Sequence, residues 1–415
     1  MKKITSLMAF IILFTTLVKA QDEKEEKDFG IKFSGFVKGD FFYDTRQTVA
    51  VREGHFLLWP MHEENDIDNN DINAKPNFNF LAVQTRLKGT ITGPDAFGAK
   101  TSGAIEGAFF GHSDGDVNGF RLRHAFVNFD WGSTQLLFGQ YWNPMFVTGC
   151  FPGVVSFNTG APFQPFSRNP QIRLTKSMGD LKLMIAALSQ RDFASTGGSE
   201  VLRNSGMPDM HFQIHYGSQN KEAGTGFLAG IGAEYKTIVP RLSSTDTSGA
   251  AVKVDESVSS MAAMAFCNVK LKPVTIKVEG VYGQNLTDLL MIGGYAVTDT
   301  DPVTGEQEYV PTNTFSTWLD VHTNGKQFQV GLFGGFSQNM GTDEDITGSI
   351  SGLGTNIESI MRVSPRVIFN SGSARFAGEI EYTSAAFGSP DENAIPENPT
   401  SVANLRFLLG VYYFF

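Results

Sequence analysis

The chain is poor in cysteine, poor in charge and, beyond its first twenty residues, free of long apolar runs. Its 415 residues include only 2 cysteines, Cys150 and Cys267, too few for a disulfide scaffold. Without a run of about 20 apolar residues, a bundle of transmembrane helices is excluded. Only 18% of the residues are charged, and the net charge of -10 argues against nucleic acid as a partner.

Glycine and phenylalanine are the residues in excess, with 44 Gly and 36 Phe. An aromatic content of this size excludes a disordered chain. Residues 1–20 have the pattern of a secretory signal, because Lys2 and Lys3 precede an apolar stretch that ends with small residues at the cleavage positions. We therefore predict a signal peptide over residues 1–20 and an exported β protein after it.

Apolar residues recur with a period of two, which is typical of β-strands. In the last segment, one face carries Leu405, Phe407, Leu409, Val411, Tyr413 and Phe415. The same alternation predicts sixteen strands, so the fold class is all-β. These strands lie near 31–45, 77–91, 99–110, 119–131, 134–142, 170–178, 181–190, 208–217, 225–237, 258–270, 273–283, 314–323, 326–337, 358–369, 374–386 and 402–415.

The links between these strands alternate between tight and long. Tight links include the turn at Asn324 and Gly325, whereas long links lie near 46–76, 143–169, 191–207, 238–257, 284–313, 338–357 and 387–401. Long extracellular loops and short periplasmic turns predict a transmembrane antiparallel β-barrel of about sixteen strands over residues 31–415, after a short periplasmic segment at 21–30. A secreted β-sandwich or propeller is the alternative, which the loop asymmetry and the terminal Phe415 disfavour.

Three stretches carry a resemblance to known proteins. The final strand, ending in Phe414 and Phe415, looks like the signal that barrel-assembly machinery recognises in outer-membrane barrels of Gram-negative bacteria. The stretches 35–44, GFVKGDFFYD, and 120–129, FRLRHAFVNF, followed by 137–142, LFGQYW, resemble DcaP-like porins.

That resemblance implies a homotrimeric channel in the outer membrane, in contact with its lipid and lipopolysaccharide, for small anionic or neutral solutes. The chain departs from family members that carry a long helical N-terminal segment, since only residues 21–30 separate the signal from the first strand.

Side chains that alternate with the apolar face should line a water-filled lumen. For Arg121 and Arg123, this assignment requires either a bulge in their strand or apolar residues facing inward. The predicted pore-lining residues are Lys38, Asp40, Arg86, Lys88, Arg121, Arg123, Arg173, Arg362, Arg366, Arg375, Glu379 and Arg406.

Four of these arginines lie on the last three strands, which adjoin Lys38 of the first strand once the barrel closes. Such a basic wall would stabilise anions in transit. Alternatively, salt bridges brace the barrel wall, formed by Arg375 with Glu379 or Glu381 and by Arg406 with Asp40. Both interpretations remain open from the sequence.

The link over residues 143–170 is the expected constriction loop, since the equivalent connection folds into the lumen of general porins, which the chain resembles. It contains no acid, and a surface loop seldom exposes so many apolar side chains. Its candidate residues are Phe146, Phe151, Phe157, Phe163, Phe166 and Arg168. A loop without carboxylates opposite a basic wall favours anions; packing at a subunit interface is the alternative.

Metal and cofactor sites are not predicted. Asp66, Asp68 and Asp71 could ligate a hard divalent cation, but a solvated acidic loop is the favoured interpretation. His211 and His215 share an inward face and lie roughly 13 Å apart along a strand, too far for one ion.

Three functions other than diffusion through a pore are possible for an outer-membrane barrel: a hydrolase, a gated transporter and an anchor. A hydrolase would need a nucleophile motif near a histidine, and a gated transporter would need a large plug domain ahead of the barrel. We therefore expect no enzyme and no catalytic residue. The sequence favours passive diffusion of small hydrophilic, preferentially anionic, solutes. A non-conducting surface-binding or structural anchor is the remaining alternative, and it predicts a lumen sealed by paired charges.

Overall fold

The structure, a computed structural model, describes residues 30–415; the predicted signal peptide and almost all of the segment 21–30 lie outside them. Seventeen strand segments form one antiparallel sheet that closes on itself, and two of them belong to a single interrupted strand. The result is a barrel of sixteen strands. The predicted fold class is therefore confirmed.

The barrel strands follow the predicted spans closely. The first two are β1 (Gly30–Asp44) and β2, which has the pieces Asn77–Leu81 and Arg86–Thr92. The others are β3 (Lys100–Ala108), β4 (Arg121–Asp130), β5 (Thr134–Trp142), β6 (Arg168–Met178), β7 (Leu181–Leu188), β8 (Asp209–Asn220), β9 (Thr225–Ile238), β10 (Val258–Lys270), β11 (Val274–Gln284), β12 (Asn313–Thr323), β13 (Phe328–Gly341), β14 (Ile357–Ser371), β15 (Ala374–Pro390) and β16 (Pro396–Phe414).

The barrel closes between its first and last strands. Phe36 lies opposite Phe414, and the antiparallel register continues to the pair of Asp44 and Arg406. Beyond the end of β16, the backbone N–H of Gly35 donates to the carbonyl of Phe415 at 3.0 Å, and Phe415 donates back at 3.2 Å. The terminal phenylalanine is thus part of the ladder that removes the sheet edges.

Side chains alternate across the barrel wall as the period of two requires. On β1, Phe33 is 63% exposed and Val37 is 52% exposed, whereas Lys38 and Asp40 are fully buried. Apolar side chains therefore face outward and charged ones inward, the reverse of a soluble β protein and the arrangement suited to a lipid bilayer.

A bulge in β4 explains why both of its arginines face inward. The register pairs Glu106 with His124 and then Gly107 with Leu122, which leaves Arg123 as an extra residue. Arg121 and Arg123 are buried on the inside, and after the bulge the outward position passes to Val127. Of the two alternatives from the sequence, the strand adopts the bulge.

The long loops contain short strands and little helix. Two-stranded ribbons form from Thr48–Val51 with Phe56–Pro60 and from Ser243–Thr245 with Ala251–Lys253. A three-stranded sheet contains Gly293–Thr300, Gln307–Pro311 and Ile350–Leu353, and the helical turns are Asp114–Asp116, Ser199–Asn204 and Leu286–Leu289. No helix within residues 30–415 has the length and apolar character to cross a membrane.

The last predicted long loop is wrong. Strands β15 and β16 continue past the expected link at 387–401 and leave only residues 391–395 between them. The ladder extends to Ser389 opposite Glu397 and Pro390 opposite Pro396. Polar residues in this segment suggested a loop, but backbone pairing outside the bilayer does not require apolar side chains.

Candidate functional site: the barrel lumen

The loop between β5 and β6, which we term the inner loop (residues 143–167), folds into the lumen. Glu379 on β15 accepts hydrogen bonds from the backbone N–H groups of Val155 and Ser156. Lys38 on β1 donates to the carbonyl of Val155 at 3.0 Å, and Arg362 on β14 donates to that of Ala161 at 2.9 Å. The loop backbone is thus fixed by charged side chains of the opposite wall.

The predicted loop aromatics pack together inside the barrel. Phe157, Phe163 and Phe166 are buried, and Phe146 stacks on Trp142 with ring centroids 3.8 Å apart. Phe151 is half-buried beside Lys277, whose ammonium lies 5.2 Å from its ring. These contacts explain how an aromatic loop avoids water without an external partner.

Two further loops join this core. Phe56, on the ribbon that follows β1, lies 5.1 Å from Phe166 between ring centroids. Phe166 also donates its backbone N–H to the carbonyl of Leu289, in the loop that follows β11, at 2.9 Å. A hydrophobic core in which these three loops pack against the barrel wall, which we term the three-loop core, therefore occupies part of the lumen.

Four of the five cations of the basic wall are paired with acids. Arg366 makes a bidentate ion pair with Asp320, at 2.7 and 3.0 Å. Arg406 makes another with Asp44, at 2.9 and 2.6 Å. Two further pairs join Lys38 to Asp40 at 2.9 Å and Arg362 to Glu381 at 3.6 Å. For these four cations, the structure adopts the salt-bridge alternative.

The particular salt bridges expected from the sequence are wrong. Asp44, rather than Asp40, lies directly opposite Arg406 in the register of β1 and β16. Arg375 lies opposite Asn370, to which it donates at 2.8 Å, and its guanidinium sits over the ring of Phe414. The register between neighbouring strands decides these partners, and the alternation of residues within one strand does not reveal that register.

Acids also pair with the predicted arginines of β2, β4 and β6. Glu106 accepts from Arg123 at 2.8 Å and lies 3.4 Å from Arg86. Asp192, in the loop after β7, bridges Arg121 and Arg168, the latter at 2.6 Å. Burial would raise the pKa of Asp192, but these two arginines outweigh burial and hold it below its usual value.

A cavity of about 390 Å³ remains between the inner loop and the wall of β4 to β9. Arg173, Lys182 and His215 are its basic residues, and none of its lining residues is a carboxylate. The lining is Phe126, Asn128, Gln135, Leu137, Tyr141, Pro144, Phe146, Val147, Thr148, Gly149, Arg173, Thr175, Lys182, Met184, Gln213, His215 and Leu228. A second cavity of similar size shares Gly149 and Leu228 and extends toward the turns.

The cations of this cavity are free of acid partners within residues 30–415. Arg173 donates to Gln171 at 2.8 Å and lies over the ring of Tyr141 at 5.3 Å. Lys182 is exposed and has no ion pair among the described side chains; Lys88, on β2, has none either. The cations of the lumen therefore divide into those that pair with an acid and those that do not.

Three acids decide this division; alternation along β1 places Asp44 on the same face as Lys38 without revealing its partner, and the sequence did not single out Asp320 or Asp192. Asp44, Asp320 and Asp192 are fully or almost fully buried and each pairs with an arginine. Asp320 alternates with the buried residues Trp318 and Ser316, which was a readable signal for an inward position. Asp192 lies in a loop, where no periodicity marks its direction.

The fold is similar to those of solved outer-membrane proteins. The chain matches the outer-membrane channel DcaP of Acinetobacter baumannii with a TM-score of 0.65 and 15% identity, covering 96% of this chain and 100% of that one. The fold is that of the DcaP channel. This confirms the resemblance expected from the sequence at the level of fold, together with the outer-membrane barrel architecture.

Other porin-like barrels are more distant. The outer-membrane protein OmpT of Vibrio cholerae matches with a TM-score of 0.54 and 11% identity over 95% of this chain and 100% of that one. Its trimer form gives 0.54 and 11%, over 94% and 100%. No family model matches the sequence, and no curated protein matches it significantly.

Proposed function

We propose that this protein is an outer-membrane porin for passive diffusion of small hydrophilic solutes, with a preference for anions. The observation that carries the proposal is the cavity beside the inner loop, where Arg173 and Lys182 face open space without a carboxylate in the lining. Cations without partners stabilise anions in a narrow aqueous passage, where the surrounding protein lowers screening. In this proposal the inner loop is the constriction.

The proposed selectivity depends on the unpaired cations rather than the basic wall. Arg366 and Arg406 already share their charge with Asp320 and Asp44, so each pair contributes little net field to a passing ion. Arg173 and Lys182 have no acid partner among the described residues. We assign pore lining to this set and bracing of the inner loop to Lys38, Arg362 and Glu379.

The remaining partners belong to the same proposal. A homotrimer is supported by an outer apolar groove that includes Phe41, Phe80 and Phe407, and by the trimer form of a similar barrel. The exposed apolar belt suits outer-membrane lipid and lipopolysaccharide, and the paired terminal strand suits the barrel-assembly machinery. No enzymatic activity is proposed, since passive diffusion requires none.

A second candidate is a non-conducting barrel that acts as a surface-binding or structural anchor. The observation in its favour is the three-loop core, together with the paired charges, inside the lumen. Single-channel recording of the purified protein in a planar bilayer separates the two functions. A porin gives stable, reproducible conductance steps, whereas folded protein that inserts without steps would support the anchor and refute the porin.

A further inference from the structure

Three buried carboxylates converge where β8 and β9 meet the loop that follows β11. Asp209 is the first residue of β8, Glu234 lies on β9, and Asp288 lies on the helical turn Leu286–Leu289. Their side chains are 1%, 3% and 0% exposed. One carboxylate oxygen from each lies within 4.8 Å of the other two.

Among the residues that the structure describes, Lys236 is the one lysine or arginine that pairs with these acids. Lys236 pairs with Asp288 and lies 3.9 Å from Glu234. With all three carboxylates ionised and His211 neutral, one ammonium leaves two negative charges in a buried space, which is costly unless something compensates them.

Several oxygens of the cluster have no hydrogen-bond partner among the described residues. They are Oδ1 of Asp209, both carboxylate oxygens of Glu234 and Oδ2 of Asp288. Both ring nitrogens of His211 are also without a partner, and its Nδ1 lies 3.8 Å from Glu234. Buried polar atoms are almost always satisfied in proteins, so these atoms point to a ligand with positive charge.

We propose that Asp209, Glu234 and Asp288 bind one calcium ion. Carboxylate oxygens are the ligands that a hard cation prefers, and calcium–oxygen distances of about 2.4 Å place opposite ligands about 4.8 Å apart. Magnesium needs shorter distances, near 2.1 Å, and a stricter octahedral geometry. A charge of +2 also equals the negative charge that Lys236 leaves uncompensated.

Such an ion would join a lumen-filling loop to the barrel wall. The residues next to Asp288, among them Leu286, Leu289 and Met291, are fully buried in the three-loop core. Asp209 and Glu234 belong to strands, so the ion cross-links this loop to two neighbouring strands of the barrel. The proposal is independent of whether the barrel conducts.

The test measures calcium binding and thermal unfolding of the full-length protein in detergent after treatment with EDTA. Titration calorimetry should show one calcium ion bound per chain. Calcium should also raise the midpoint temperature of unfolding by several degrees relative to EDTA. An equal midpoint in calcium and EDTA would overturn the proposal. Stabilisation by zinc but not by calcium would overturn the assignment of the ion.

A conservative variant locates the site. Asp209→Asn keeps the side-chain shape and removes one ligand charge, so the calcium-dependent shift should disappear. Its midpoint in EDTA should equal or exceed that of the wild type, because one uncompensated buried charge is gone. Should this variant fail to refold, Glu234→Gln applies the same test.

The control is Asp299→Asn, an exposed aspartate of the same loop that removes the same charge. It should retain the full calcium-dependent shift. A full shift in the Asp209→Asn and Glu234→Gln variants would place calcium elsewhere, for example in the exposed acidic loop at 63–71, and would refute the buried site.

Discussion

At the scale of single residues, burial and pairing decide what a charged side chain does in the lumen. The sequence predicts that Arg366 lines the pore, but Arg366 is buried against Asp320, whereas Lys182 faces an open cavity. A paired guanidinium under a loop contributes to stability, whereas an exposed ammonium can act on a solute.

Asp320→Asn should destabilise the barrel by about 3–5 kcal/mol, because it leaves the buried Arg366 without its partner. Chemical denaturation of the protein folded in detergent or lipid measures the change. The double variant Asp320→Asn with Arg366→Met should recover much of the loss, since the uncompensated charge is then removed. A single variant as stable as the wild type would show that the pair does not stabilise the fold.

At the scale of strands and loops, alternation predicted where strands lie but not how they pair. All sixteen predicted spans coincide with barrel strands, because the membrane outside and the polar inside force a period of two. The partner of Arg406 depends on register, and the bulge at Arg123 depends on the neighbouring strand; neither is encoded within one segment. The packing of a loop inside the lumen could be predicted for the inner loop alone, because that loop is rich in aromatic residues.

Loop anchoring gives a prediction about pH. Asp192 links its loop to Arg121 on β4 and Arg168 on β6, and its pKa is lowered in the folded protein. A lowered folded pKa means that the stabilisation is present above the unfolded value of about 3.9 and is lost as pH falls through the folded value.

The wild type should therefore be clearly more stable than Asp192→Asn at pH 7, and this advantage should shrink below about pH 4. Unfolding free energies of both proteins at several pH values provide the measurement. Asp299→Asn, at an exposed position in the loop that follows β11, is the control for loss of a loop carboxylate. An advantage that stays constant down to pH 2 would contradict the role of the ionised Asp192.

At the scale of the whole molecule, the proposed anion preference depends on the distribution of charge rather than on its total. The chain is acidic, with a net charge of -10, yet the cavity beside the inner loop is lined by cations and no acids. Most of the acids lie on exposed loops, where salt screens them over about 8 Å, or in buried pairs. An acidic protein can therefore prefer anions.

The double variant Arg173→Gln with Lys182→Gln tests whether the unpaired cations act on solutes. It should reduce the chloride-to-potassium permeability ratio several-fold while leaving a folded, conducting barrel. Lys176→Gln is the matched control, because Lys176 is exposed on the outer face of β6 and donates to Ser133 and Thr134. An equal permeability ratio in both variants would show that Arg173 and Lys182 do not determine the selectivity.

The most direct test of the central claim is the reversal potential of the wild-type protein in a planar bilayer under a KCl gradient. A pore controlled by Arg173 and Lys182 should conduct and reverse toward the equilibrium potential of chloride. Reversal toward the potassium potential would contradict the anion preference and place control with the acidic loops.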